Sequence, residues 1–176
     1  MSNAEPREAQ LGIEESEKEE LAKSLQRLYG ERIALANQIR ACQWNSEGKR
    51  APELKQILIA AAPESMIGNK ESNQSRGNPI VQSLESPNEI AERISVLGRS
   101  LPASYEELRE NSRLEIAQSI DPERNAEQLT RSSELFIQTG REVIETARTA
   151  QDEVTVQIVV DQIRPAEQLA TQLKRF

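Results

Sequence analysis

Apolar residues recur along this chain at alternating intervals of four and three, which is the spacing of an amphipathic helix. The first such segment runs from about residue 16 to residue 44, and its apolar stripe is interrupted only at Arg32. The stripe consists of Leu21, Leu25, Leu28, Leu35, Ile39 and Cys42. This pattern predicts one helix roughly 40 Å long, at a rise of about 1.5 Å per residue.

Two more long helices are predicted in the second half of the chain. Asp121 followed by Pro122 starts one of them, and the other begins near Asp152. Their stripes are Leu129, Phe136, Gly140, Val143, Ala147 and Ala150, and then Ile158, Val159, Ile163, Ala166, Ala170 and Leu173. We expect Pro165 to kink the last helix, because its nitrogen cannot donate to the carbonyl of Asp161.

The remaining long segment is interrupted by helix breakers. Pro52 opens a short apolar run, so the pattern predicts a helix over about 52–62 and another that ends at 97, before Gly98. Turn-forming residues dominate the stretch between these helices, which predicts an irregular, exposed insertion at about 63–79. Ser104 and Glu107 form a capping box for a further short helix.

These elements predict an all-α fold. Four long amphipathic segments and two short ones indicate a ferritin-like four-helix bundle with a crossover connection, a short extra helix and an interrupted second helix. Aromatic residues make up only 3% of the chain, so its core must consist mainly of Leu, Ile, Val and Ala. We expect residues 16–176 to form this domain and residues 1–15 to form a flexible acidic tail.

The composition excludes several classes of site and partner. The chain contains no histidine, which excludes histidine-based triads, HExxH metal sites and Cys/His zinc sites. Its single cysteine, Cys42, forms no intramolecular disulfide and suits a reducing cytoplasm, where we expect the protein. The chain has neither an apolar run long enough for a membrane span nor a signal peptide, so we expect no membrane partner. A net charge of −7 disfavours nucleic-acid binding.

Four segments of the chain resemble the Dps family (DNA-binding protein from starved cells) of the ferritin-like superfamily. They read CQWN at 42–45, NEIAERISVLG at 88–98, LPASYEELRENS at 101–112 and ETARTAQDEVTVQIVVDQIRPAEQLATQL at 145–173. The combination of WN, AER with LG, and DExT in this order is specific to that family. The resemblance extends from about Leu21 to the C-terminus, apart from the insertion.

The resemblance implies a hollow dodecamer of four-helix subunits that stores iron. In the family, a ferroxidase site at each two-fold interface oxidises Fe(II) with peroxide. Two histidines and an aspartate of one subunit hold the iron there, together with an aspartate and a glutamate of the neighbouring subunit. Carboxylate and imidazole groups are suitable ligands for Fe(II).

Most of these ligands are replaced in this chain. Gln43 stands where the first histidine precedes Trp-Asn, and Asn88 stands where an aspartate lies four residues before the retained Glu92. Counted forward from Gln43 or back from Glu92, the other two ligands fall on alternative pairs, Lys55 and Ile59 or Asn73 and Gly77. We therefore expect weak iron binding, with Glu92 as the remnant of the site and Trp44 packing near it. Taken alone, Glu92 is more simply explained as a structural or solvated residue than as a metal ligand.

Acidic residues at the start of the last helix match positions that line the three-fold iron-entry pores of the family. They are Asp152, Glu153 and Asp161, while a further family aspartate between them is Gln157 here. Rings of negative charge would attract cations. The same carboxylates would also stabilise the helix dipole as solvated residues near the helix N-terminus. Both interpretations stay open at this point.

The sequence therefore predicts a Dps-like shell subunit for iron storage, iron detoxification and oxidative-stress protection, with a degenerate ferroxidase site. The alternative is a non-catalytic structural protein, or a partner that enters mixed shells with related subunits. DNA compaction is disfavoured, because the DNA-binding members of the family use Lys- and Arg-rich extensions whereas this N-terminal segment is acidic.

Overall fold

Six helices make up the architecture of the described part of the chain. The structure is a computed structural model, and it describes residues 11–61, 88–115 and 119–176. The helices are α1 (Glu15–Asn45), α2 (Ala51–Ala61), α3 (Asn88–Val96), α4 (Tyr105–Glu110), α5 (Pro122–Thr149) and α6 (Glu153–Leu173). No strand occurs within these ranges, so the all-α prediction is confirmed.

Three long helices, α1, α5 and α6, form three members of a four-helix bundle, and α2 and α3 together form the fourth. The most extensive contact is between α5 and α6, and α1 packs mainly against α5. The short helix α4 lies on α1. The arrangement is the predicted ferritin-like bundle with one short extra helix.

Local signals in the sequence set the ends of these helices. Asp121 caps α5 by accepting a hydrogen bond from the backbone N–H of Glu123 at 2.9 Å, and Pro122 occupies the first turn. Ser104 caps α4 in the predicted capping box. Gly98 follows α3 with a φ of 77°, a left-handed conformation that glycine adopts without strain.

The predicted apolar stripes form the core. All six stripe residues of α1 are buried, as are all six of α5, whereas Ile158 of α6 is only half-buried. Arg32 interrupts the apolar stripe of α1 in the sequence but does not interrupt its buried face, because Arg32 is also buried, at 1% exposure. Its side chain replaces an apolar residue within the core because it has polar partners there, which are described below.

Several predictions concern the edges of the described ranges. The two helices predicted on either side of the insertion correspond to α2 and α3. The insertion at about 63–79 and residues 1–10 lie outside the described residues, so the domain boundaries stay predictions.

Helix α6 continues through the buried Pro165, and the kink there also stays a prediction. None of the described helices combines the length and apolar composition that a membrane span requires.

Gly140 allows α5 and α6 to approach closely. A Cβ atom at this position would overlap Cγ2 of Ile163 and would lie 3.4 Å from Cγ1 of Val159. Protein cores are packed at the density of organic crystals, so neighbouring side chains have little room to move away. The contact between the two helices therefore requires glycine at position 140.

We predict that Gly140→Ala destabilises the fold by about 1–3 kcal/mol, because the added methyl group overpacks the α5–α6 contact. Equilibrium urea unfolding measures this loss. Since the overlap involves one side chain, the double variant Gly140→Ala/Ile163→Ala should lose less stability than the two single variants combined.

The control for this experiment is Gln138→Ala on the exposed side of α5, which should change stability by less than about 0.5 kcal/mol. Strictly additive losses in the double variant would contradict the overlap between residue 140 and Ile163.

Candidate functional site

The end of α1 carries the first replaced ligand position. Gln43 is half-buried there and offers a neutral amide. Its neighbour Trp44 is 66% exposed in the single subunit, so its packing near a site between subunits stays a prediction. Burial raises the pKa of the Cys42 thiol to about 11, so this residue stays protonated at neutral pH and is a poor metal ligand.

The retained ligand position, Glu92, lies in α3. Its side chain is exposed and forms no hydrogen bond or ion pair with any described residue. On α2, Lys55 is half-buried and Ile59 is 46% exposed. The predicted positions whose side chains lie outside the described part of the chain are Asn73, Gly77 and Asn88. Within that part, no three Cys, Asp or Glu side chains converge to hold a metal ion.

The predicted pore residue Asp152 is buried inside the subunit, at 4% exposure. One carboxylate oxygen accepts a hydrogen bond from the backbone N–H of Thr155 at 3.1 Å. The other accepts hydrogen bonds from the Thr155 hydroxyl and from Nη2 of Arg93, the latter at 2.6 Å. Asp152 therefore caps α6 and joins it to α3, and both its oxygens have partners within the subunit. Its role in a pore between several copies stays a prediction.

The other two pore candidates have different surroundings. Glu153 is exposed, and Asp161 is half-buried. Asp161 accepts a hydrogen bond from Nε2 of Gln157 at 2.9 Å and lies 3.5 Å from Nη2 of Arg164. Both carboxylates are accessible to solvent, so their role in a pore between several copies stays a prediction.

A buried polar chain links three helices at the position of Arg32. Its Nη1 donates to Oε1 of Gln162 in α6, whose Nε2 donates to Glu89 in α3 at 3.4 Å. Burial lowers the pKa of Arg32 to about 10, although Glu89 acts in the opposite direction. The guanidinium is therefore charged at neutral pH and repels a divalent cation, so this part of the bundle interior does not suit a metal ion. In the sequence, this polar chain is indicated only by Arg32, the charged residue that interrupts the apolar stripe of α1.

A second buried charge ties the segment after α4 to the bundle. Glu31 of α1 is fully buried, and its Oε1 accepts a hydrogen bond from Nε of Arg113 at 3.1 Å. Arg113 also bonds the Thr139 hydroxyl and lies 3.3 Å from a carboxylate oxygen of Glu142, both in α5. This guanidinium therefore fixes the segment that follows α4 against α1 and α5.

A surface groove of about 320 Å³ is lined mainly by carboxylates. It lies between the start of α1 and the end of α5, and its acidic residues are Glu17, Glu20, Glu142 and Glu145. These side chains attract cations from solution. They do not converge on one point, so the groove does not amount to a coordination site.

Comparisons with known proteins agree with this architecture. No protein-family model and no curated protein sequence matches the chain. A Dps protein from Vibrio cholerae O1, described as a member of a broad superfamily of ferritin-like diiron-carboxylate proteins, matches with a TM-score of 0.75 and 21% identity over 98% of both chains. Dps from Thermosynechococcus elongatus matches with a TM-score of 0.74 and 16% identity over 92% of both chains. The chain has the Dps fold.

A similar match extends beyond bacteria. An archaeal Dps homologue from Halobacterium salinarum has a TM-score of 0.73 and 18% identity, over 99% of this chain and 92% of that one. The fold implied by the sequence resemblance is thus confirmed for the described residues.

Two segments that carry the sequence resemblance meet in this Dps fold. Arg93 belongs to the AER motif in α3, and Asp152 belongs to the DExT motif at the start of α6. Their side chains are 10% and 2% exposed, so the ion pair is largely shielded from water. In this chain, these two motif residues hold α3 against α6.

The ion pair also sets the titration of the carboxylate. Burial acts to raise the pKa of Asp152, but hydrogen bonds from Arg93 and Thr155 outweigh burial, so the pKa lies below its ordinary value of 3.8. A carboxylate whose pKa is lower in the folded state stabilises the fold above its unfolded pKa. That stabilisation is lost as the pH falls through the folded pKa.

We predict that Asp152→Asn destabilises the Dps fold by about 3 kcal/mol at neutral pH, because it leaves the charge of Arg93 without a partner. The difference from the unmodified protein should shrink below about pH 4, where the unmodified carboxylate takes up a proton. Urea unfolding across this pH range measures the difference.

The control is Asp161→Asn, which removes an exposed ion pair with Arg164 and should cost less than about 1 kcal/mol. A loss for Asp152→Asn that is independent of pH would contradict the assigned ion pair.

Proposed function

We propose that this chain is a Dps-like shell subunit that stores and detoxifies iron and protects against oxidative stress, with a degenerate ferroxidase site. One combination supports the proposal. The chain matches a ferritin-like diiron-carboxylate protein over 98% of its length, yet Gln43 and Asn88 stand where the sequence resemblance places metal ligands. Iron is the cargo and substrate of such a shell rather than a resident cofactor.

Weak iron binding follows from the residues at the replaced ligand positions. The amide oxygen of Gln43 carries no charge to offset that of Fe(II), and Glu92 supplies only one carboxylate. Inside the bundle, the charged guanidinium of Arg32 opposes cation binding. Iron uptake then depends on solvated carboxylates such as Glu153 and Asp161, which attract cations when several copies bring them together.

A non-catalytic structural role, in shells of this chain alone or mixed with related subunits, is the second candidate function. Exposed apolar side chains favour the assembly that this role requires, because such residues are covered when subunits associate. The large ones are Trp44, Ile59, Val96, Leu101, Tyr105, Ile120 and Val154. Both candidates require a shell, and they differ in whether the shell oxidises iron.

We predict that the purified protein assembles into a closed dodecamer of about 240 kDa, twelve times the 19.8 kDa of one chain. Light scattering coupled to size-exclusion chromatography measures the mass, and electron microscopy shows whether the particle is hollow. A stable monomer at micromolar concentration would contradict both candidate functions.

We predict that Fe(II) oxidation by peroxide in this shell is slower per subunit than in a Dps protein with an intact site by more than about 10- to 100-fold, the loss that follows when only an outer-shell partner of a metal ligand is removed. Restoring two ligands with Gln43→His/Asn88→Asp should raise Fe(II) affinity only modestly, since the second pair of ligands is still missing. Stopped-flow absorbance of ferric iron measures oxidation, and calorimetry measures affinity.

The matched control is Gln138→His, which adds an imidazole on the exposed side of α5, away from the replaced ligand positions. Fast, stoichiometric oxidation by the unmodified shell would contradict the degenerate site and indicate ligands other than those named. Complete absence of oxidation, with normal assembly, would favour the structural candidate.

A further inference from the structure

Glu31 has a buried carboxylate oxygen without a hydrogen-bond partner. The residue lies in α1 and is fully buried, at 0% exposure. Its Oε1 accepts hydrogen bonds from the backbone N–H and from Nε of Arg113, whereas its Oε2 accepts none from the described part of the chain. A charged acceptor that has lost its water and gained no donor is costly. Oε2 is therefore suited to bind a ligand from outside the chain, and a positively charged ligand suits it best.

Two further residues place oxygen atoms around the same guanidinium. Arg113 bonds the Thr139 hydroxyl, and its Nη1 and Nη2 donate to Glu142 at 3.4 Å and 3.3 Å. Glu31, Thr139 and Glu142 thus surround one positive group with oxygen atoms, and we call these three residues the Arg113 cradle. Oxygen ligands of this kind are those that hard divalent cations such as Mg²⁺, Ca²⁺ and Mn²⁺ prefer.

The cradle carries more negative charge than Arg113 neutralises. The two carboxylates of Glu31 and Glu142 share one guanidinium, so one negative charge is left over. A divalent cation in the same place would neutralise both carboxylates. Since Glu31 is shielded from water, the second positive charge interacts with it more strongly than it would with an exposed carboxylate. The charge balance therefore allows a divalent cation to compete with the guanidinium.

The cradle is open to solvent on one side. The side chains of Arg113 and Glu142 are 35% and 43% exposed, so an ion can reach them and keep water ligands there. Glu142 also lines the acidic groove of about 320 Å³ described above. That groove attracts cations without coordinating them. Because Glu142 belongs to both the groove and the cradle, cations that collect in the groove lie beside the cradle.

We propose that the Arg113 cradle is a divalent-cation site, in which the cation displaces the guanidinium and binds Glu31, Thr139 and Glu142. Oε2 of Glu31 then gains the partner that it lacks beside Arg113. The displaced guanidinium loses the bonds that fix the segment after α4 against α1 and α5, so cation binding loosens this segment. The site goes beyond the proposed function, because it lies within one subunit and needs neither a shell nor the replaced ligand positions.

Hydrogen exchange in the unmodified protein tests the displacement. The backbone N–H of Arg113 donates to Oε1 of Glu31 at 3.4 Å, and a cation on this carboxylate removes that bond. We expect Mn²⁺ to speed exchange at residues 112–114 about fivefold, the change that follows when one hydrogen bond is lost. Exchange at residues 156–163 of α6, which lie outside the cradle, is the internal reference and should stay the same. Since no substitution is needed, this test does not depend on whether a variant folds.

Mn²⁺ binding to the full chain tests the ligands. Electron paramagnetic resonance measures free Mn²⁺, so a titration gives the number of bound ions per chain and their Kd. Glu31→Gln should lose one bound ion per chain, because an amide brings no negative charge. Arg113→Ala should bind this ion at least about tenfold more tightly, because the open cradle is otherwise a minor state, populated at about 10% or less.

Matched controls remove charges that lie outside the cradle. Glu145→Gln removes an exposed carboxylate of the acidic groove, and Arg109→Ala removes an exposed guanidinium of α4. Neither should change the number of bound ions that the cradle contributes or their Kd.

Thermal unfolding gives an independent readout of the same site. Arg113→Ala leaves the buried charge of Glu31 without its partner, so this variant should be less stable than the unmodified protein in EDTA. Mn²⁺ at about 100 times its Kd should raise the unfolding midpoint of the variant by about 5–10 °C. The double variant Glu31→Gln/Arg113→Ala should gain no such stabilisation from Mn²⁺.

The outcomes decide the site separately from the proposed function. Loss of one ion in Glu31→Gln, together with faster exchange at residues 112–114 in the unmodified protein, would support the site. Equal Mn²⁺ binding by the unmodified protein, Glu31→Gln and Arg113→Ala would overturn it. Saturating Mn²⁺ that leaves exchange at residues 112–114 unchanged would also overturn it, because Arg113 would then have stayed in place. Shell assembly and Fe(II) oxidation are measured independently, so failure of the site leaves the proposed function intact.

Discussion

Close approach between helices across an aliphatic core is the constraint on which this bundle depends. Aromatic residues make up only 3% of the chain, so few large rings are available to fill wide gaps between helices. The helices must therefore approach until small and branched aliphatic side chains interlock at normal core density. Gly140 permits this approach between α5 and α6, and Gly30 permits it between α1 and α4. Both positions lack a methyl group because a neighbouring atom occupies its place.

Charged groups enclosed by this packing need partners in neighbouring elements, because an unpaired charge is costly to bury. Asp152 pairs with Arg93 and thereby joins α6 to α3. Glu31 pairs with Arg113 and fixes the segment after α4 against α1. Burial of the aliphatic core stabilises the bundle but does not require a particular partner for each side chain, whereas each ion pair requires one specific partner. They therefore specify which faces of the helices meet.

Because of this distribution of charge, the groups that can attract a cation lie on the surface of the subunit. The described core contains the positive charge of Arg32, and Asp152 is already occupied by its cap and its ion pair. Carboxylates that remain available to a cation, such as Glu92 and Glu153, are exposed. While Arg113 occupies the carboxylates of Glu31 and Glu142, a single subunit therefore offers weak cation attraction rather than coordination, and we expect its function to depend on how copies bring their surfaces together.

The sequence by itself determined the helices, their ends and the order of the motifs, because these features depend on neighbours within a few residues. The apolar period, the cap at Asp121 and the glycine at position 98 are local in this sense. The sequence also shows that Gln43 offers only a neutral amide, since residue type alone decides this charge. Only the tertiary structure decided which charged side chains are paired and which charged and aromatic side chains are buried. Asp152 has the same local sequence whether it faces a pore or Arg93, which lies 59 residues away. Whether Arg32 and Trp44 are buried or exposed likewise depends on which helices pack beside them, and that arrangement is not encoded in any short segment.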